Sequence, residues 1–332
     1  MKTITETMQA MVITGYGDTS VFKQMEMPKP DLKSADTLHA TRLLLVKVHA
    51  ASINPVDCKI RKGQIPTGIK PPQILGFDVS GVVVETLGTG TSNFTAGDEV
   101  YYLPRIIGSQ GAYAEYHLVE ESIVSFKPKN ISHIEAASIP LVASTAYDAL
   151  FERVKIRLGE TILIHGGAGG VGSVAIQLAK LCGCYVFSTC SEKNIDFVKS
   201  LGADYVINYK KEDFVDVILK ETKGEGVNIV FDTVGGETFS KSLDIIRTFG
   251  RITSIVRMPT NLDKAYFKNI VIHPVFVQSG RLKLDLMRDL IERGQLKPQI
   301  DSVISLKEIP KAHERLEKGG VRGKIVIDVA KK

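Results

Sequence analysis

Two short stretches of the sequence carry groups able to do chemistry. The first is INPVDCK, residues 53–59, where an Asn, an Asp and a Lys sit in one Pro-punctuated turn after the apolar run LLLVKVHAASI. A strand end that delivers Asn54, Asp57 and Lys59 to one spot is either a solvated corner or the floor of a site. The second is ILIHGGAGGVGSVAIQLAK, in which Gly167, Gly169 and Gly172 make G-x-G-x-x-G between a short β-branched run and a helical one. The first glycine permits a tight turn, the second lets backbone approach a pyrophosphate, and the third lets helix and strand pack closely. The helix opening at Gly170 and Val171 offers unpaired N–H groups and a positive dipole end to phosphates.

A site for a bare dinucleotide diol usually shows Asp or Glu at the end of the second strand, about 20 residues on. Here that strand ends FSTCSEKN, with Ser188, Thr189, Cys190 and Ser191 at the tip and Lys193 beyond. Hydroxyls and an ammonium suit a 2′-phosphate better than a diol, so NADPH is the expected cofactor. Glu192 is the complication, since its carboxylate could bind the diol of NADH.

These groups need elements to hold them. Up to about residue 135 the chain is dense in short β-like runs (QAMVITGYG, LLLVKVHAASI, DVSGVVVETLG, GDEVYYL, GAYAEYHLV) parted by Gly, Pro, Asp and Asn. That spacing predicts a small, mostly antiparallel barrel or partly open sandwich. From about 136 to 280, strand-like runs alternate with helical ones, which predicts a parallel sheet covered on both faces. ETILIHGG, CYVFSTC, YVINY, NIVFDTVGG, RITSIV and IVIHPVFVQ would be its six strands. GSVAIQLAKLCG, NIDFVKSLG, EDFVDVILKETK and ETFSKSLDIIRTFG would be its helices. The tail, 281–332, reads as a helix (LDLMRDLIERG) and two strands that rejoin the first domain. If the INPVDCK segment is extended, Cys58 should point away from its neighbours and be packed.

The bulk numbers exclude several classes. A chain of 332 residues, 44% hydrophobic and 24% charged, can bury two ordinary globular cores. A net charge of +5 with no long basic run suits a phosphate-bearing ligand but is too diffuse for nucleic acid. The four cysteines form no CxxC pair, which argues against a tetrathiolate zinc lobe or a disulfide framework and for a reducing cytosol. No stretch has about 18 uninterrupted apolar residues, and MKTITETMQAM lacks the apolar core of a signal peptide. The expectation is a cytoplasmic protein that does not span a membrane.

Taken together, INPVDCKIRKG, PQILGFDVSGVV, GDEVYY, GAYAEYHLV, LVASTAYDAL, GGAGGVG and GGVRGKIVIDV resemble the medium-chain dehydrogenase/reductase superfamily, in its zinc-independent quinone oxidoreductase and enone reductase branch. The resemblance implies a GroES-like barrel domain around an inserted Rossmann domain, commonly in a homodimer or homotetramer. It also bears on metal. Zinc alcohol dehydrogenases of the superfamily place a ligand Cys where this chain has Asn54, and Gly-His-Glu where it has Gly76, Phe77 and Asp78. Phenylalanine cannot ligate and an amide replaces a thiolate poorly, so no zinc is expected.

Without zinc, the charge that develops on a reduced carbonyl or quinone oxygen needs another partner. In related plant enone and alkenal reductases this place also reads N-P-V-D-x-K. The resemblance puts Lys59 beside the substrate oxygen above the nicotinamide, with Asn54 adding a hydrogen bond and Asp57 orienting the turn or Lys59. It brings further positions less forcefully. Thr145 lies near the cofactor and Tyr209 flanks the 2′-phosphate. Val234 lies in the loop after the fourth Rossmann strand. Ser254 to Val256 and His273 to Val277, with Phe276, lie near the carboxamide. Of Tyr101 and Tyr102, which should alternate in and out of a strand, Tyr102 is taken to line a cleft between the domains.

The function expected is NADPH-dependent, metal-free hydride transfer to a quinone or to the conjugated C=C of an enone, on a small, planar, mostly apolar substrate. Two alternatives stand beside it: an alcohol dehydrogenase-like reductase, and an NADPH-binding interaction or RNA-binding protein with little turnover.

Overall fold

The computed structural model describes residues 6–32, 42–88, 91–258 and 261–331. They form two compact units: Met1–Leu141 with Ser279–Gly294 and Pro298–Lys332, and Val142–Gln278 with Gln295–Lys297.

In chain order the first unit begins with β1 (Thr7–Ile13), β2 (Phe22–Pro28), β3 (Arg42–Ser52), α1 (Pro55–Arg61), β4 (Gln73–Ile74), β5 (Val79–Gly88), β6 (Glu99–Tyr102), β7 (Tyr116–Glu120), β8 (Val124–Phe126) and α2 (His133–Ala136). Then come α3 (Pro140–Tyr147), β9 (Thr161–Ile164), α4 (Gly170–Leu181), β10 (Tyr185–Cys190), α5 (Ile195–Ser200), β11 (Tyr205–Asn208), α6 (Phe214–Glu221), β12 (Val227–Asp232), α7 (Glu237–Ile245), β13 (Ile246–Ser254), α8 (Asp263–Phe267) and β14 (Val271–Pro274). The tail supplies α9 (Arg281–Glu292), β15 (Ile300–Ser305), α10 (Ile309–Lys318) and β16 (Lys324–Asp328).

The first unit is built on β3, whose run Leu43 to Val46 is wholly buried. Such a continuous apolar run needs cover on both faces, and β3 sits inside a seven-stranded sheet ordered β15-β16-β3-β5-β6-β8, with β7 also paired to β3. Every pair in it is antiparallel except β15 with β16. The C-terminal strand β16 pairs with the end of β3, Val326 opposite Ser52, which brings the tail against the start of α1. A smaller antiparallel sheet, β2-β1-β4, completes the unit.

The second unit is one parallel sheet ordered β11-β10-β9-β12-β13-β14. Counted from β9 this is 3-2-1-4-5-6, the Rossmann order, with its switch point between β9 and β12. Leu163, Phe187, Ile207, Val230 and Ile252 from its strands pack on Phe214, Ile218, Phe239 and Leu243 from α6 and α7.

Three local readings change. INPVDCK is not extended: its last five residues open α1. The stretch ETFSKSLDIIRTFG is not one helix, since α7 stops at Ile245 and β13 begins at Ile246. The backbone leaves the helix at Ile246 (φ −84°, ψ 130°), and β13 itself is irregular further on. Phe249 stands at φ +61° with its N–H on the Lys268 carbonyl, and a Cβ at Gly250 would meet Ile246 Cγ2 at 2.3 Å. Finally, Tyr101 and Tyr102 do not alternate between core and surface. Both are fully buried, because α9 covers one face of β6 (Tyr101 Oη donates to Leu284 O, 2.5 Å) and His117 of β7 meets the other.

Candidate active site

Helix α1 is short, seven residues, so its ends decide whether it forms. Asn54 stands at the N-cap with extended dihedrals, Pro55 occupies the first turn where its missing N–H costs nothing, and Lys59 and Arg61 lie in the last turn, where the dipole favours cations. Asp57, three residues after the cap, accepts the Asn54 N–H at 2.7 Å. That is the returning half of a capping box.

The helix is then pinned residue by residue. Tyr113 Oη donates to Asp57 Oδ2 at 3.0 Å. Cys58 Sγ meets His313 Nδ1 of α10 at 3.3 Å, and His313 Nε2 lies 3.5 Å from Tyr113 Oη. A thiol donating to Nδ1, Nε2–H to the phenol, and the phenol to the carboxyl is one consistent direction along this chain. Arg61, also buried, pairs with Glu317 of α10 at 2.7 Å. Burial dominates the acid–base behaviour here. It pushes Asp57 up to about 7 against the lowering effect of its hydrogen bonds, pushes Cys58 up to about 12, and pulls His313 down to about 3. Cys58 is therefore packed, as expected, but through a helix and a histidine rather than by strand alternation. Lys59 differs from its neighbours: it is half-buried, and its Nζ makes no hydrogen bond or ion pair among the described residues.

Asn54 faces a second buried network. Its Nδ2 donates to Asp78 Oδ2 at 2.7 Å and its Oδ1 accepts from Lys324 Nζ. Asp78 Oδ2 also accepts from Ser52 Oγ at 2.6 Å and Lys324 Nζ at 3.0 Å, and Oδ1 takes the Leu141 N–H at 2.6 Å. The third partner of the Lys324 ammonium is the Ile53 carbonyl, at 3.0 Å. These positions, 54 and 76–78, are those at which zinc alcohol dehydrogenases hold their metal. Here Phe77 is fully buried and the Asp78 carboxylate already faces an ammonium. Among the described residues no three His, Cys, Asp or Glu side chains come together as a metal group. The residues present do not fit a zinc ion.

The second unit holds a different kind of site. The turn from β9 to α4 is made of main chain. A Cβ at Gly172 would meet Gly166 O at 2.3 Å and Gly167 Cα at 2.9 Å; one at Gly167 would meet Ser188 Oγ at 2.1 Å. Gly169, the N-cap of α4, is looser: the nearest atom to its added Cβ is Gly166 O at 3.3 Å. Two of the three glycines are thus required by protein against protein, while the middle one has room on its outer side. That arrangement, at the N-terminus of a twelve-residue helix, fits a dinucleotide pyrophosphate. Beside it, at the carboxyl ends of the strands, lies a cavity of about 500 Å³ lined by Gly166, Thr189, Tyr209 and Val234 among others. Asp232 shapes its rim. The buried carboxylate takes the N–H groups of Val234 and Gly235 at 3.0 and 2.9 Å and the Ser254 hydroxyl at 2.8 Å. Glu192 is held by Lys211 at 2.6 Å, both side chains being exposed.

The sequence-predicted residues therefore divide. Asn54, Asp57 and Lys59 come together at α1, the Asn54 amide committed at both ends and nearly without exposure. Tyr102 is buried with its hydroxyl on His117 Nδ1 at 3.0 Å. Gly167, Gly169, Gly170, Val171 and Gly172 form the turn and first residues of α4; Ser191 and exposed Lys193 follow β10; Tyr209 follows β11; Val234 follows β12. Ser254 ends β13 with half-buried Val256 after it, Phe276 is about half exposed beyond β14, and Thr145 is buried in α3. Lys324, Asp78, Tyr113 and His313 were not foreseen. The α1 helix itself had a signal, Asn-Pro-x-Asp, which is cap, first-turn proline and third-position acid.

The chain matches two family profiles, "Alcohol dehydrogenase GroES-like domain" over residues 41–129 and "Zinc-binding dehydrogenase" over 201–327. It is 36% identical to the 2-methylene-furan-3-one reductase of Solanum lycopersicum, covering 96% of this chain and 79% of that protein. It is 31% identical to the mitochondrial NAD(P)H oxidoreductase RTN4IP1 of Danio rerio, over 97% and 91%. A solved quinone oxidoreductase from Coxiella burnetii superposes with a TM-score of 0.87 at 34% identity, over 98% of this chain and 100% of that one. The chain belongs to the medium-chain dehydrogenase/reductase superfamily, in its quinone and enone reductase branch. It is a GroES-like unit with a Rossmann-like one, an NAD(P)H oxidoreductase of quinone/enone reductase type that uses a nicotinamide cofactor. The words "zinc-binding" describe the wider family; the Asn54, Phe77 and Asp78 positions of this chain do not carry a zinc ligand set. Among the described residues no helix is long and apolar enough to cross a membrane.

Proposed function

We propose that this protein is an NADPH-dependent, metal-free reductase of the conjugated double bond of small α,β-unsaturated carbonyls, with small quinones as further substrates. One observation carries the reading. Asn54, Asp57, Cys58 and Arg61 on and before α1 each make an internal contact, whereas the Lys59 ammonium makes no hydrogen bond or ion pair among the described residues. A helix so firmly anchored around one ammonium is a means of aiming that ammonium.

A bound nicotinamide supplies the hydride, which adds to the β-carbon of an enone. Lys59 donates to the carbonyl oxygen and stabilises the charge that grows there, and solvent gives the proton that completes reduction. Preference for NADPH rests on Ser191, Lys193 and Tyr209 at the ends of β10 and β11, and on Glu192 being turned to Lys211. The metal-free reading rests on the donor set at Asn54 and Asp78, which an ammonium already serves. Four free cysteines fit a reducing compartment such as the cytoplasm.

The test is NADPH oxidation, with NADH in parallel, against a simple alkenone and a small quinone, for wild type and Lys59→Ala. Alkenone turnover with NADPH, cut about a hundredfold or more in kcat by the substitution, is the expected result. A silent Lys59→Ala with quinone still reduced would overturn it. Stoichiometric zinc in the purified protein would restore the alcohol dehydrogenase reading.

A further inference from the structure

We infer that Lys324 is a positioning residue for Lys59, acting through Asn54. The inference rests on the reading of Lys59 given above and extends it to a residue 265 positions away in sequence, in the C-terminal strand.

The argument begins with the ammonium. Lys324 Nζ has three N–H donors and three acceptors: Ile53 O at 3.0 Å, Asp78 Oδ2 at 3.0 Å and Asn54 Oδ1. It is 4% exposed and Asp78 is 0% exposed, so the pair has lost its water and depends on these contacts. Two of the three acceptors belong to residues 53 and 54, the last before α1. On the other side, Asp78 closes the circuit by accepting from Asn54 Nδ2 at 2.7 Å, and the Ser52 hydroxyl and Leu141 N–H use up its remaining capacity. Asn54 is thus gripped at both ends of its amide, and its own N–H is on Asp57.

A seven-residue helix has little inertia of its own. Contacts at Asp57, Cys58 and Arg61 hold its body, and the buried pair holds its N-cap. Lys59 is the fifth residue after the cap. Loosening the cap leaves the first turn fixed from one side only, and a misplacement of about 1 Å at a reacting group can cost about a hundredfold in rate. Charge balance alone would not need this geometry: an ion pair can neutralise itself without holding a cap amide. The grip on Asn54 is what couples the pair to α1. It also accounts for the Asn54 carbonyl and one of its two amide N–H groups being turned inward rather than toward a substrate.

A double-mutant cycle tests the coupling. Wild type, Lys59→Ala, Lys324→Met and the double variant are compared for alkenone kcat and KM with NADPH, and for Tm. If Lys324 acts through Lys59, Lys324→Met lowers kcat tenfold or more in the wild-type background, on the order expected for misplacement, and has no effect on kcat once Lys59 is alanine. KM for NADPH stays the same. If Lys324→Met lowers kcat by the same factor in both backgrounds, its role is general stability and the inference is wrong. If Lys59→Ala is itself silent, the reading of Lys59 falls first and the two failures are told apart. Should Lys324→Met not fold, Asn54→Ala replaces it, because that change leaves Lys324 on Asp78 and on the Ile53 carbonyl and removes only their grip on the cap amide. The same cycle then supports the inference by vanishing on the Lys59→Ala background or overturns it by persisting.

Discussion

At residues 166–172 the second unit presents main chain; at residues 54–61 the first unit presents side chains held by other side chains. The glycine turn is complete within seven residues, and what it offers a ligand is N–H groups that no substitution but proline can remove. The α1 site is assembled from Ser52, Asn54, Asp78, Tyr113, His313 and Lys324, the last joined to Asn54 across 270 positions. The two sites should therefore fail differently. A backbone site fails by collision, all at once. A side-chain site loses single functions while the fold stands.

The largest effect should come from the turn. Gly172→Ala places a Cβ 2.3 Å from Gly166 O, and both atoms belong to fixed main chain, so no side chain can yield. Loss of NADPH binding by about a hundredfold, or of soluble protein altogether, is expected, as for overpacking at its severe end. Gly169→Ala is the contrast within the same loop. Its Cβ stands 3.3 Å from the Gly166 carbonyl, a tight contact relieved by a shift of a few tenths of an ångström, so Tm should fall far less than in Gly172→Ala while fluorescence titration shows weaker NADPH binding. Equal damage from both substitutions would mean that the turn has no outward face for a ligand.

The same contrast explains what could be read without a structure. The Rossmann order and the cradle announce themselves because each βα unit is local: strand, turn and helix follow one another in sequence, and glycine spacing records the steric demand. Boundaries were lost where the backbone departs from the pattern, as at Ile246, which turns extended directly after α7 and opens β13. In the first unit Lys59 and Asp57 stood out as polar groups in one turn, but only the N-P-V-D-x-K resemblance gave them a role. Lys324 lies in an ordinary-looking strand, KIVID, and His313 in a helix, α10, that the sequence reading missed although Ser305, Glu308, Pro310 and Gly319 mark its ends. The partners of Lys324 are set by sheet pairing, Val326 beside Ser52, and those of His313 by the meeting of α10 with α1; periodicity records neither at such range.

Asp57 gives the next largest effect, on stability. Its carboxyl is held at about 7 by burial, above the value near 3.9 of an unfolded chain. Between those values the folded protein keeps a proton that the unfolded chain has lost, so stability falls as pH rises from about 4 to about 7, by about 4 kcal/mol at most. His313 works the other way. Pulled down to about 3, it stays neutral while the unfolded imidazole takes a proton below about 6.5, so its cost grows as pH falls. Asp57→Asn keeps the shape and an acceptor for Tyr113 and removes only the first effect. Urea denaturation across pH 4–8 should show the variant gaining on wild type as pH rises. A constant difference would mean that Asp57 is ionised throughout and that the buried chain to Cys58 ends on a charge.

Lys59→Ala comes third. A loss of about a hundredfold in kcat corresponds to roughly 2.7 kcal/mol of transition-state stabilisation. Because the Lys59 ammonium makes no hydrogen bond or ion pair among the described residues, Tm should stay within about 2 °C of wild type. Activity and stability separate here, in contrast to Gly172→Ala, where they fall together. A Tm that drops with kcat would place Lys59 in the packing of α1 and remove it from the chemistry.

The smallest effect tests the one place where side chains extend the backbone cradle. Lys193 stands just past β10, beyond Ser191, and Lys211 just past β11 holds Glu192 at 2.6 Å. If Lys193 serves a 2′-phosphate, Lys193→Ala should raise KM for NADPH about tenfold, roughly 1.4 kcal/mol, the scale of one charge-assisted hydrogen bond, and leave KM for NADH unchanged. Glu192→Gln should change neither by more than about twofold, since its carboxylate is already turned to a lysine and such an exposed pair is worth little. Lys211→Ala is the sharper probe, because it frees Glu192 without adding bulk. A carboxylate released at the end of the second strand is the group that suits a ribose diol, so KM for NADH should fall while KM for NADPH rises. If both KM values move together in Lys211→Ala, the exposed lysine binds the dinucleotide without discriminating, and preference between the two cofactors has to come from Ser191 and Tyr209.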